Sequence, residues 1–300
     1  MIKQLLFLGF AVMLGAFSAS AQMQALQTQI EAYTQDKDAI VAVAIKRGNE
    51  SEAVYVRAAE HLPMQSVFKF HIAIVMLTAI DKGQFALQQP VKIKKKDLTP
   101  DIWSPLRDKY PEGITLPLSE ILRYMLAQSD NVACDILLKM LGGPTKVDRF
   151  FKDRGVHDLA IAINEKTMQS NWDMQFMNWT TAAACTDLMR TYLANSQQEL
   201  SAASHTFLWD VMKTTETGLK RLKGDLPSGT IVAHKTGFSG TRGGITAAVH
   251  DAGVIFMPDG IPIFITVFVS QSKADLATNE AIIAAIARMT YDYFTQEKKP

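Results

Sequence analysis

Ser66 and Lys69 stand three residues apart in Ser66-Val67-Phe68-Lys69, at the head of a run that stays apolar almost to Ile80. On a helix that spacing puts the hydroxyl and the amine on one face, a turn apart. A serine hydroxyl attacks an acyl carbon well only when a base takes its proton. Lysine is protonated at neutral pH, and serves as that base when burial or a second cation lowers its pKa. Lys235, in Lys235-Thr236-Gly237, is a candidate second cation, and Ser129-Asp130-Asn131 brings another hydroxyl and an amide. By themselves Ser66 and Lys69 would also suit a capping serine and a snorkelling lysine. The order and the contexts of the three motifs favour acyl transfer on a serine.

The elements that must position these residues can be read from pattern. The run from Val67 to Ile80 is too short to span a bilayer, which takes about 20 apolar residues, and a helix apolar on all sides belongs at the centre of a domain. Gly83 is placed to end it. Before it come a helix over Met23 to Tyr33, a strand over Ile40 to Lys46 and a hairpin partner over Ala53 to Val56. After it, helices are expected up to Ala127 (with Ser119 as a possible cap), over Asn131 to Leu141, Thr145 to Arg154, Thr181 to Ala194 and Ser201 to Met212. Asn164 to Thr180 has no clean period. Strands follow over Thr230 to Lys235, Thr246 to His250, Gly253 to Met257 and Ile263 to Ser270, then a closing helix over Asn279 to Phe294. Strands at both ends and helices between imply an α+β protein of three layers, α/β/α, with an inserted all-α domain. The boundaries expected are 22–62 plus 213–300 for the part with an antiparallel sheet and 63–212 for the helical part, with a cleft between them.

Composition is ordinary for a globular protein, 48% apolar and 20% charged, with a net charge of +1 that gives no reason to expect nucleic acid or a membrane surface as partner. The basic run Lys92, Lys94, Lys95 and Lys96 reads as a solvated loop or edge strand. Residues 1–21 read as a secretory signal peptide: a basic start, an apolar core over Leu5 to Phe17, and Ala19-Ser20-Ala21 before the cut. The mature protein is then expected in the periplasm or outside the cell, free of the membrane and monomeric. An exported chain could pair its two cysteines, Cys134 and Cys185, yet each lies in an apolar helical pattern that suits a buried thiol. The six histidines are scattered, without a metal-ligand spacing, so no metal or other cofactor is expected.

With these motifs in this order, the sequence resembles the class A serine β-lactamases over nearly the whole mature chain. Asn164-Glu165-Lys166-Thr167-Met168, Asn178-Trp179-Thr180, His234-Lys235-Thr236-Gly237 and Thr278-Asn279-Glu280-Ala281-Ile282-Ile283 resemble the PER-type extended-spectrum branch. The resemblance implies a serine β-lactamase/D,D-peptidase-like fold and a β-lactam substrate. It implies Ser66 as nucleophile, Lys69 and Lys235 as its electrostatic partners, and Ser129 as proton shuttle to the leaving nitrogen. It makes Glu165 the carboxylate that activates the deacylating water; whether Glu165 or Lys69 is the base in acylation is disputed in the family. Asn131 would orient the substrate amide and Lys69. Thr236, Lys235 and Arg221 would hold the substrate carboxylate, and the N–H groups of Ser66 and Phe238 would form the oxyanion hole beside Gly237. Asp130 would hold its own loop. Trp103 is a candidate wall of the cleft, and Met64 and Gln65 are expected to line it.

The sequence departs from the wider family in the loop around Glu165. Gln169 stands where an asparagine is usual, and Ile163 and Asn178 occupy the positions of the usual arginine–aspartate bridge, so the loop must be held another way. Phe238 stands where a small residue is commoner. The rival readings are a D,D-peptidase (penicillin-binding protein), which forms the same acyl-enzyme without a water-activating glutamate, and a penicillin-sensing domain acylated once.

Overall fold

The computed structural model describes residues 23–296; the expected signal peptide lies outside them. Helix α1 spans residues 23–34. Strands β1 (Ile40–Arg47) and β2 (Ala53–Val56) form the expected hairpin, and β3 (Leu62–Pro63) leads through a 3-10 turn, Gln65–Val67, into α2 (Phe68–Asp81). From Phe68 to Ala79 every residue of α2 is buried, Lys69 included. Burial at roughly 1.5–3 kcal/mol for each large apolar side chain fixes this helix firmly. Lys82 caps it and Gly83 follows with φ +73, a left-handed turn that glycine takes without strain.

The polar stretch after α2 carries a small sheet of β4 (Pro90–Lys94) and β5 (Gly113–Pro117), with α3 (Pro105–Lys109) between them. Next come α4 (Leu118–Ala127), α5 (Asn131–Met140), α6 (Pro144–Lys152), β6 (Leu159–Ala160), α7 (Glu165–Ser170), β7 (Trp179–Thr180), α8 (Ala182–Ala194) and α9 (Ala202–Lys213). Ser119 does not cap α4: the helix already starts at Leu118 behind Pro117, and Ser119 is buried in its first turn. The C-terminal part holds β8 (Ile231–Phe238), β9 (Thr241–Arg242), β10 (Ile245–Phe256), β11 (Ile263–Ser272) and α10 (Leu276–Gln296). Two short strands expected over Thr246 to His250 and Gly253 to Met257 are one strand, β10. The gap expected at Asp251 is closed: its carboxylate is paired inside the sheet and the ladder to β8 and β11 runs through it.

The main sheet is antiparallel, ordered β2-β1-β11-β10-β8, with β9 on β10. One face packs on α1 and α10 through Leu26, Ile30, Ile283 and Ile286. The other packs on the helical part through Ala42, Ala44, Phe264 and Phe268. That is the three-layer α+β architecture expected. Both cysteines are free and buried, Cys134 on α5 and Cys185 on α8; burial pushes the Cys185 thiol up to about 12 and Cys134 well above its usual value. Among the described residues no helix is long and apolar enough to cross a membrane.

Candidate active site

Strand β8 runs beside the turn that starts α2, and the fit is close at one residue. A Cβ on Gly237 would come 2.8 Å from Met64 O and 3.1 Å from Gln65 Cβ. The absence of a side chain at Gly237 therefore lets β8 approach the segment that carries Ser66. Gln65 is buried with φ +46, and Ser66 lies half-buried beside it. Met64, expected in the cleft, is wholly buried and belongs to the core; Gln65 does line the cleft.

Lys69 Nζ is the hub. It lies 2.9 Å from Ser66 Oγ, 2.8 Å from Ser129 O, 3.4 Å from Ser129 Oγ and 2.9 Å from Glu165 Oε1, and it bonds Asn131 Oδ1. An ammonium has three protons to donate, so it cannot serve all these oxygens at once. The Glu165 contact is an ion pair without a directed hydrogen bond, and Oε1 is buried with no hydrogen-bond partner. Proton exchange among these groups needs no large movement. On the other side of Ser129, Lys235 Nζ donates to Ser129 Oγ at 2.9 Å and to Thr236 O at 3.1 Å. Lys235 is fully buried; burial, and then the Lys69 charge, hold its pKa well below the usual lysine value.

Ser129 is held in a left-handed conformation, φ +58, between α4 and α5. Asp130 secures that loop. Its carboxylate accepts from Ser104 Oγ, from Leu106 N at 2.7 Å and from Ala133 N at 2.8 Å, capping α5. Burial raises its pKa, against the pull of those donors. Trp103 belongs to the same arrangement: its O accepts from Asn131 N, and its Nε1 donates to Gln128 O at 3.0 Å, while the residue is 61% exposed at the cleft.

The cleft has a volume of about 440 Å³ and is lined by Ser66, Trp103, Ser129, Asn131, Gln169 and Phe238, with Thr236 and Arg221 on the β8 side. Arg221 is buried rather than free on the surface. Nη1 donates to Gly237 O and His250 O, and Nε pairs with Glu280 Oε1 at 3.1 Å. Thr236 Oγ1 lies 2.6 Å from Thr217 Oγ1. Gln169 is exposed on α7 and borders both this cleft and a more polar cavity towards Trp172 and Arg242.

The loop carrying Glu165 is braced by amides and one carboxylate. Asn178, fully buried, accepts from Ala162 N at 2.8 Å and Ile163 N at 3.0 Å and donates to Ile163 O at 2.9 Å, while its own O accepts from Met64 N. Gln65 donates to Gln175 of the same loop at 2.7 Å. Asp135, on α5, accepts from Glu165 N at 2.8 Å and Lys166 N at 3.0 Å, which fixes the first turn of α7. The sequence reading missed Asp135 and Gln175. Asp135 had a signal: it stands four residues after Asn131 on one helix, so the two share a face. Gln175 had none.

Two expected outcomes follow from this bracing. Asn178→Ala removes three hydrogen bonds to backbone groups and should lower stability by about 1–3 kcal/mol, read from urea unfolding, with a larger loss in the step that depends on Glu165 than in attack by Ser66. Burial raises the Asp135 pKa to about 6, although its two N–H donors oppose the shift. Between about pH 4 and pH 6 the folded protein then keeps a proton that the unfolded chain has lost. Stability from this group therefore falls as pH rises through that window. Asp135→Asn should remove that component from melting temperatures measured at intervals across it.

A family model described as "Beta-lactamase enzyme family" matches residues 23–294. The chain is 42% identical over 293 residues to Beta-lactamase VEB-1 of Pseudomonas aeruginosa, covering 98% of each. It is 38% identical to Extended-spectrum beta-lactamase PER-1 of the same organism, over 94% of this chain and 91% of the relative. Among solved structures, that of TLA-1 extended spectrum beta-lactamase superposes with a TM-score of 0.88 at 42% identity, covering 91% of this chain and 99% of the other.

Proposed function

The chain belongs to the class A β-lactamases, in the branch of VEB-1 and PER-1, and from that premise we propose that it hydrolyses the β-lactam amide through an acyl-enzyme on Ser66. The observation that carries this reading is that one amine, Lys69 Nζ, lies 2.9 Å from both Ser66 Oγ and Glu165 Oε1. Once Lys69 has passed a proton to Glu165, it is a neutral amine in contact with the Ser66 hydroxyl. It takes the hydroxyl proton as Oγ bonds to the lactam carbonyl carbon. The oxyanion is received by the N–H groups of Ser66 and Phe238. Ser129 Oγ gives its proton to the lactam nitrogen as the C–N bond breaks, and is reprotonated from Lys69 or Lys235. Glu165 first passes the proton it holds back to Lys69, which restores its carboxylate; it then takes a proton from water as the hydroxide adds to the ester carbonyl, and that proton goes to Ser66 Oγ as it leaves.

Asn131 orients the substrate amide, and Lys235, Thr236 and Arg221 receive its carboxylate. Trp103, Gln169, Gly237 and Phe238 shape the walls. Extended-spectrum cephalosporins suit the reading, because PER-1 and TLA-1 are described as extended-spectrum β-lactamases and because the cleft shares Gln65, Gln169 and Ser239 with the adjoining polar cavity. The division into an α/β domain (22–62 plus 213–300) and a helical domain (63–212), export after cleavage of residues 1–21, and a monomeric periplasmic enzyme belong to the same proposal.

Purified protein mixed with a chromogenic cephalosporin tests it. Many turnovers per molecule are expected. A single stoichiometric burst would instead make it a D,D-peptidase or a sensor. A panel of oxyimino-cephalosporins and penicillins then reads the spectrum.

A further inference from the structure

Lys235 is a buried cation with no carboxylate in contact among the described residues. Its hydrogen-bond partners, Ser129 Oγ and Thr236 O, are neutral. The nearest second cation, Lys69, shares the same Ser129 hydroxyl and adds repulsion. A buried ammonium keeps its proton only if a counter-charge offsets the loss of water. Glu165 is matched by Lys69, Glu280 by Arg221, Asp130 by its three donors, and Asp135 by the N–H groups of Glu165 and Lys166.

One carboxylate remains, on the strand paired with β8. Asp251 stands opposite Thr236 on β10, and its neighbour Ala252 stands opposite Lys235. It is wholly buried, as is His234. Its oxygens lie 2.9 Å from His234 Nδ1, and Oδ2 accepts from Leu222 N at 3.1 Å. One side chain thus ties the residue before Lys235 to the residue after Arg221. A carboxylate only accepts, so His234 Nδ1 carries the proton between them. Among the described residues His234 Nε2 is buried without a hydrogen-bond partner. Gly253 faces His234: a Cβ on it would come 2.7 Å from His234 Cβ, so the ladder has room for the imidazole only because Gly253 has no side chain.

We propose that Asp251 is the buried counter-charge that keeps Lys235 protonated for the substrate carboxylate, with His234 as the strut that aims it. The inference rests on Lys235 being the receptor of that carboxylate. Asp251 is the strongest charge opposing the downward shift at Lys235, ahead of Glu165, while Lys69 and Arg221 act the other way. His250, next to Asp251 on β10 but directed to the opposite face of the sheet, bonds Pro63 O through Nε2, and burial lowers its pKa to about 3, so it is uncharged across the working range.

The test is the pH dependence of kcat/KM for a cephalosporin with its ring carboxylate, in the unaltered protein, Asp251→Asn and His234→Asn. Removing a nearby negative charge lowers a lysine pKa. Asp251→Asn should therefore move the alkaline limb down by about one pH unit, so that kcat/KM on that limb falls about tenfold, chiefly through KM. On the acid side the change should stay below about threefold. His234→Asn keeps the charge and a donor to it, and should leave the limb in place. If Asp251→Asn does not fold, the double variant His234→Asn/Asp251→Asn, a neutral amide pair, is read in the same way. An unmoved limb in the neutral variant, an equal movement in His234→Asn, or refusal of both neutral variants to fold overturns the proposal in favour of a purely structural pair. Absence of turnover by the unaltered protein would sink the functional reading instead.

Discussion

Glu165→Gln protein is expected to take up one β-lactam per molecule and then stall. Mass spectrometry should show the protein heavier by the mass of the substrate, persisting long after mixing, and steady-state turnover should fall about 10²–10⁴-fold, the usual contribution of a positioned general base. Glutamine keeps the volume of the side chain but cannot take the proton of water. The first turn of α7 should survive the change, because Asp135 binds the backbone N–H groups of residues 165 and 166 whatever side chain the first one carries. Loss of turnover would then report chemistry rather than a collapsed loop. Should acylation slow by the same factor as release, Glu165 is the base in both steps. Turnover as fast as in the unaltered protein would remove Glu165 from the mechanism.

Lys69→Met should be costly in two separable ways. Methionine fills much of the space but supplies no amine to Ser66 Oγ, and acylation should slow about 10²–10⁴-fold in single-turnover measurements. It also leaves Glu165, 1% exposed, with no cation beside it. Removing one partner of a buried pair typically costs about 3–5 kcal/mol, and denaturant unfolding above neutral pH should show a loss of that order. Adding Glu165→Gln removes the stranded charge. The double variant should therefore regain most of the stability while remaining inactive. A double variant no more stable than Lys69→Met would mean that Lys69 supports the fold through Ser129 and Asn131 rather than through the ion pair.

The reactive centre was legible in the sequence because its parts are short and local. Ser66 and Lys69 share a helix turn, Ser129 to Asn131 share a loop, and Lys235 to Gly237 share a strand. The burial of α2 was equally plain from its apolar run. What could not be read were groups that act across the fold on backbone atoms. Asp135 holds α7 from α5, and Asn178 holds residues 162 and 163; the spacing of Asp135 from Asn131 shows a shared helix face but not the backbone N–H groups it binds, and Asn178 belongs to no spacing pattern. The gap expected between His250 and Gly253 is closed in the fold, and Asp251 lies within a single strand. Its partners, His234 and Leu222 N, arrive from other segments. Met64 misled because it adjoins the nucleophile in sequence, but its side chain is directed into the core.

The close approach at Gly237 bears on how such an enzyme can change under selection. Any side chain there would force apart the strand and the nucleophile's turn, so this position offers no adaptive route despite its place beside the cleft. Phe238, its neighbour, is 45% exposed and carries no comparable constraint. Drift in drug preference through this edge of the site should run by way of Phe238 and the β9 hairpin, while Gly237 stays fixed across descendants that remain active.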